Sequence, residues 1–356
     1  MKKEKTTGLV LGKFMPLHQG HELLMNFASR YVDRLFIVVD NVPEERYEKE
    51  YIAGHIRVAW AQNTCPTAEV FYLPHVNPQE PSEHPQFWKI WKKSLLDLLP
   101  TKVDFVFASE EYGFPLADIL GSTFIPFDID RQTVSMSATK LRTDLYTHWE
   151  YLSQAAKPYF TMRVCICGPE SAGKSTLTKE LATHFNTVFT PEYARSYLET
   201  NIKKARQDKR TYAISFKDML PIARGQIALE ESLIRYANRL LISDTDTWTT
   251  TLWSKWLFDG KCSKEVTKLA EHQRHDLYLL VKPDIGWEKD EIRYTPAEKA
   301  RKFFFQEYKK MLESNNATVV VIDGKGAKRI KKAIRGVEDV IRERFHYQYF
   351  VERRRQ

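Results

Sequence analysis

No stretch of the 356-residue chain approaches the roughly 18 consecutive apolar residues of a membrane span. The opening MKKEKTTG carries lysines but no apolar core, so it does not read as a signal peptide. The expected compartment is the cytosol, with no membrane partner. Cysteine is scarce: Cys65, Cys165, Cys167 and Cys262 form no CxxC pair, which argues against a zinc site, and reduced structural thiols are expected. The Cys165/Cys167 alternation suits the two faces of a buried strand. Internal repeats and low-complexity tracts are also missing.

What is present describes an ordinary folded protein, with 43% apolar, 13% aromatic and 28% charged residues. The length exceeds one typical domain and accommodates two. The net charge of +8 points to anionic partners, and nucleotide phosphates satisfy it as readily as a nucleic-acid backbone. The tail RERFHYQYFVERRRQ holds five arginines and two glutamates. Its expected form is a solvated helix end whose aromatics pack on the body.

The first half alternates short apolar runs with amphipathic stretches. GLVLGKF is followed by a helix from about His21, RLFIVVD by one from about Ile52, and EVFYLP by one around Phe87–Leu99, before VDFVFAS. Strands alternating with helices predict a parallel sheet covered by helices. The rhythm breaks at YLSQAAKPYFT, Tyr151–Thr161. It then restarts with MRVCICG, a helix from about Lys174, TVFT, a long helix over Pro221–Asn238, RLLIS, DLYLLVKP and TVVVID, before a basic helix. The predicted fold is therefore α/β in two domains, residues 1–155 and 156–356, the second carrying the basic tail.

GPESAGKS, Gly168 to Ser175, matches G-x-x-x-x-G-K-[ST] between an apolar strand and a helical stretch, the context that this phosphate-binding loop requires. Gly168 and Gly173 let backbone N–H groups curl round a β-phosphate, and the next helix adds its positive end. Lys174 bridges the β- and γ-phosphates, Ser175 holds Mg²⁺, and Ser171 and Thr176 complete the ATP cradle. RLLIS runs into Asp244, with Asp246 two residues on. Each acid is a candidate, for Mg²⁺ or for an acceptor hydroxyl, and each could instead cap the helix TWTTTLWSKWL. Glu192 and Arg195, three apart in PEYARSYLE, are either a polyol clamp or a surface ion pair. Arg293 and Arg301 lie in a polar segment that could close over a transferring phosphoryl group.

In the first half, GKFMPLHQGH places Lys13, His18 and His21 in a glycine-broken loop between the first strand and its helix. In a doubly wound sheet this crossing lies at the carboxyl edge, where ligands bind. Two imidazoles and a lysine at a helix entrance suit a triphosphate whose charge moves from the α-phosphate to leaving pyrophosphate.

That stretch resembles the G-x-[FY]-x-P-x-H-x-G-H signature of the nucleotidylyltransferase superfamily, and SATKLR, Ser137 to Arg142, resembles its second signature. The resemblance implies ATP contacts from Gly12, Phe14, His18, His21, Ser137 and Thr139, with Arg142 on the β- and γ-phosphates. Together with the phosphate loop it points to one family, the bifunctional nicotinamide mononucleotide adenylyltransferases and ribosylnicotinamide kinases. Further segments are similar to that family's: FWKIWKK, EYARSYL, ISDTDTWTT, and GWEKDEIRYTPAEKAR with Trp287, Arg293 and Arg301. The similarity spans about Gly8 to Arg342.

The implied reactions are phosphorylation of nicotinamide riboside by Mg–ATP and adenylylation of the resulting mononucleotide to NAD and pyrophosphate. Trp88 and Trp91 would stack on the cationic pyridinium, although with Leu95 they also form a core stripe. Glu192, Arg195, Asp246 and Trp287 would contact the riboside. Some relatives begin with a DNA-binding helix-turn-helix; here the first strand starts by residue 8, and the form lacking that domain is expected. Other readings are a different nucleotidylyltransferase–kinase fusion acting on small molecules, or a protein that binds or end-processes nucleic acid, which the compact signature disfavours. A homo-oligomer is compatible with all of them.

Overall fold

The computed structural model describes residues 5–286 and 298–355. They divide into two compact units, one running up to Phe160 and resuming at Phe345, the other spanning Thr161–Arg344.

The first unit is a five-stranded parallel sheet of β1 (Thr7–Gly12), β2 (Arg34–Val39), β3 (Glu69–Tyr72), β4 (Phe105–Ala108) and β5 (Thr123–Pro126), in the order β3-β2-β1-β4-β5. The central strands β1 and β2 are continuous apolar runs because helices cover both faces, and Leu9, Val10, Ile37, Val38 and Val39 are fully buried. The order reverses beside β1, so the crevice outside its carboxyl end is the expected ligand site. The first helix, Gln19–Tyr31, opens there. It begins two residues before His21 because His18 caps it. Strand β5 and the helix Gly113–Leu120 were not anticipated; TFIP is too short to show an alternation.

The second unit repeats the architecture with β6 (Met162–Cys167), β7 (Phe189–Thr190), β8 (Leu240–Asp244), β9 (Leu277–Val281) and β10 (Val319–Ile322), in the order β10-β9-β6-β8-β7, all parallel. Cys165 and Cys167 are buried on β6, unbridged.

The tail differs from expectation. Residues from Phe345 onward cluster with the first unit instead of ending the second. Tyr347 and Phe350 are fully buried there, in the helix Tyr347–Arg355, against Phe160. The aromatic residues do pack on the body, as the sequence suggests, but on the other unit's body. Among the described residues no helix is long and apolar enough to cross a membrane.

Candidate active sites

In the first unit a cleft of about 710 Å³ opens at the carboxyl ends of the strands. Gly12, Lys13, Phe14, His18, His21, Trp88, Trp91, Ser137, Thr139 and Arg142 all line it, so residues separated by 130 positions in the chain share one site.

The two histidines form a reciprocal cap. His18 Nδ1 accepts the Gly20 N–H at 3.1 Å, and His21 Nδ1 accepts the His18 N–H at 3.4 Å. Their rings stack at 3.7 Å. A backbone N–H can only donate, so each Nδ1 is an acceptor and each neutral ring carries its proton on Nε2. Burial, and then the Arg131 guanidinium, lower the His18 pKa to about 4. Burial, His18 and Arg131 push His21 well below the ordinary histidine value. The pair is therefore neutral at pH 7 and offers two Nε2–H donors, not two cations. Gly20 leaves room for this packing: a Cβ would sit 3.0 Å from His18 Cε1, and the ring would have to shift.

Arg142 is held by three partners. It pairs with Glu50 at 2.8 Å and donates to the Met15 carbonyl at 2.6 Å and to Thr139 Oγ1 at 3.2 Å. Ser137 caps its helix, Ala138–Thr143, accepting the Lys140 N–H. Lys13 donates to Tyr47 Oη at 2.9 Å. Trp91 is buried and donates Nε1–H to the Pro78 carbonyl at 3.0 Å, while Trp88 keeps more open surface. Both belong to the core under the cleft, so stripe and cleft wall are one surface.

Asp40 was missed. It ends the buried run RLFIVVD, the same signal that marks Asp244. It lines the cleft, is 3% exposed, and its Oδ1 has no hydrogen-bond partner. Burial raises its pKa, against the opposing influence of Gln79, Lys13 and Arg57. Arg57, fully buried, ties this edge together by donating to the carbonyls of Lys13, Asp40 and Ile52.

In the second unit the loop Gly168–Ser175 runs from β6 into the helix Lys174–His184. Gly168 (φ 137°), Ser171 (φ 51°) and Gly173 (φ 77°) all take the left-handed conformations that turn successive N–H groups inward. At Gly168 no side chain fits, because a Cβ would lie 2.7 Å from the Val281 carbonyl oxygen. Lys174 Nζ donates to the Pro169 carbonyl at 3.1 Å.

Ser171, Gly173, Lys174, Ser175, Thr176, Glu192, Arg195 and Asp246 line a cavity of about 250 Å³. Asp244, which ends β8, is buried and hydrogen-bonded to the lining residue Ser175, and its Oδ1 has no hydrogen-bond partner. Burial raises the Asp244 and Glu192 pKa values, with Lys174 opposing both. A hydroxyl, an orphaned carboxylate oxygen and a second carboxyl form the hard oxygen donor set that fits Mg²⁺.

Asp246 caps the helix Thr247–Leu257, Oδ1 accepting from Thr249 N and Oγ1, while its buried Oδ2 lacks a hydrogen-bond partner. Capping and facing the cavity are thus compatible. Behind it, unanticipated, His275 lies 3.3 Å from Glu230. Burial opposes its imidazolium, but Glu230 and Asp246 prevail and raise the pKa. Arg195 pairs with Glu199 at 3.2 Å, one turn along its helix.

Arg301 does not lie on an open polar segment. It is 4% exposed and donates to the carbonyls of Glu170, Ser171 and Ile285, bracing the phosphate loop from outside. Trp287 and Arg293 lie outside the described residues.

A family model described as an AAA domain matches residues 163–329. The chain is 29% identical over 333 residues to the trifunctional NAD biosynthesis/regulator protein NadR of Escherichia coli K12, covering 90% of this chain and 80% of that one. It is 28% identical to the protein of the same name from Salmonella typhimurium LT2, covering 90% and 79%. Among solved structures it is similar to a NadR protein in complex with NAD and AMP-PNP, with a TM-score of 0.71 and 25% identity over 94% of this chain and 96% of that one.

Proposed function

We propose that this chain, a homologue of the trifunctional NAD biosynthesis/regulator proteins, makes NAD in two consecutive reactions at two separate sites. The second unit phosphorylates the 5′-hydroxyl of nicotinamide riboside from ATP. The first joins the resulting mononucleotide to the adenylyl group of a second ATP, releasing pyrophosphate. The observation that carries this reading is the coexistence of two unlike phosphate cradles, each at the carboxyl edge of its own parallel sheet.

In the second unit, catalysis is mostly positioning and charge neutralisation. The loop N–H groups and Lys174 would hold the triphosphate. Ser175 and Asp244 would hold Mg²⁺, which when bound neutralises phosphate charge. Asp246 lines the cavity and would accept a hydrogen bond from the acceptor hydroxyl, and Glu192 and Arg195 would contact the ribose. Arg301 keeps the loop in shape.

In the first unit the mononucleotide's phosphate attacks the α-phosphorus directly. A phosphate is already ionised at neutral pH, so no base is needed, which agrees with two histidines whose Nδ1 atoms are committed to backbone N–H groups. Their Nε2–H donors and Arg142 would stabilise the charge that develops on the leaving pyrophosphate. Trp88 and Trp91 would offer the pyridinium an aromatic wall, a contact of about 1–2 kcal/mol when desolvated.

Product analysis with nicotinamide riboside, ATP and Mg²⁺ tests the reading. Wild type should form NAD, and Lys174→Ala should form it only when given nicotinamide mononucleotide. If neither pyridine substrate is consumed, the substrate assignment is wrong.

A further inference from the structure

The C-terminal segment has no role in either reaction as described, yet it packs on the helix that carries Arg142 and, through Trp149, on the segment that supports the histidine loop. Tyr347 is fully buried, and its hydroxyl donates to the Glu50 carbonyl at 3.2 Å. The Glu50 carboxylate pairs with Arg142 at 2.8 Å, and Arg142 in turn donates to the Met15 carbonyl in the histidine loop. The helix Tyr347–Arg355 packs on the 3-10 turn Glu48–Glu50, on the helix Ala138–Thr143 that carries Arg142, and on the helix Lys157–Phe160.

A second line of contact starts at Phe345. Its ring meets Tyr146 at 5.2 Å and Trp149 at 5.9 Å, and Trp149 is 1% exposed. Trp149 begins a short turn ending at Tyr151, and the next residue, Leu152, forms an antiparallel bridge with His18. Gln19 donates to the Glu150 carbonyl at 2.7 Å, and Ser153 N–H to the Leu17 carbonyl at 3.2 Å. The loop that aims His18 and His21 therefore rests on a segment that rests on Phe345.

Among the described residues the indole side of the cleft shows no such link; Trp91 is tied to Pro78 and packs with Phe87 and Leu95. We propose that the segment from Phe345 is a positioning element for adenylyl transfer, holding Arg142 and the histidine loop on the triphosphate side of the cleft. The proposal rests on the adenylyl-transfer reading of that cleft. It also makes the first unit discontinuous in sequence: its site is complete only when the chain has been made to its last helix.

The test uses the full chain with Tyr347→Ala and Tyr347→Phe, and with Phe345→Ala as a second cavity variant should Tyr347→Ala fail to fold. A misplacement of about 1 Å can cost about 100-fold in rate, so Tyr347→Ala should lower adenylyl-transfer kcat by roughly 10- to 100-fold. KM for nicotinamide mononucleotide should stay unchanged, as should riboside phosphorylation in the same preparation. Tyr347→Phe, which keeps the ring, should recover most of the loss. Equal loss of both activities, a matching rise in KM for the mononucleotide, or no loss at all would overturn the proposal. A wild type that makes no NAD from the mononucleotide refutes the functional reading instead. The positioning role is then read from AMP-PNP affinity in a Lys174→Ala background: weakened by Tyr347→Ala and restored by Tyr347→Phe if it holds, unchanged if it does not.

Discussion

His18 and His21 stack with ring centroids 3.7 Å apart, and each presents its Nδ1 to a backbone N–H of the turn that they cap. Two cationic rings would repel at that distance, and both pKa values are lowered. The arrangement gives two aligned neutral donors.

Replacing His21 with Ala removes one Nε2–H donor and half of the cap. Loss of one preorganised donor typically costs about 100- to 1,000-fold in turnover, and a loss in that range is expected for adenylyl transfer. Riboside phosphorylation by the same protein should not change. Steady-state assays of each reaction check this, and parallel loss would argue against separate sites.

The lowered His18 pKa makes stability depend on pH with a definite sign. The folded state holds His18 neutral down to about pH 4, whereas the unfolded chain protonates it near 6.5. Stability is full above about 6.5 and falls as pH drops toward 4, by about 3 kcal/mol for this group. The hydrogen-exchange protection factors of the helix Gln19–Tyr31, corrected for the intrinsic rate at each pH, should therefore fall more steeply on acidification in wild type than in His18→Gln. Parallel pH profiles would show that His18 is not buried neutral.

Gly168→Ala places a methyl group against the Val281 carbonyl in a backbone conformation that alanine rarely adopts. Strain of about 1–3 kcal/mol is expected from the backbone alone. Kinase activity should vanish while adenylyl transfer survives. Denaturant unfolding followed alongside both assays would show it.

Asp244→Asn keeps the hydrogen bond to Ser175 possible and removes the charge. If this carboxylate helps to hold Mg²⁺, the concentration of Mg²⁺ giving half-maximal kinase activity should rise at least about tenfold, equivalent to about 1.4 kcal/mol. A Mg²⁺ titration of wild type and variant decides; coincident curves would remove Asp244 from the metal site.

Much of this was legible in the residues. The phosphate loop declares itself through a fixed spacing between a strand and a helix, and the histidine loop through glycines that only a crowded turn requires. Asp40 carried the same local signal as Asp244 and was overlooked because no motif surrounds it. Arg301 was legible only as a charge; that it grips loop carbonyls depends on a helix packing beside residues 130 positions earlier.

The chain alone determined two parallel α/β units and where each candidate cradle lies, because strand and helix periods, turn glycines and cap residues are local properties. Tertiary structure decided what distance along the chain conceals. It raises the His275 pKa with the Glu230 carboxylate from a helix 45 positions earlier, neutralises the two histidines by burial, and returns Tyr347 to Glu50 across almost 300 residues. Burial and long-range contact set these states, and neither is written in any short stretch of sequence.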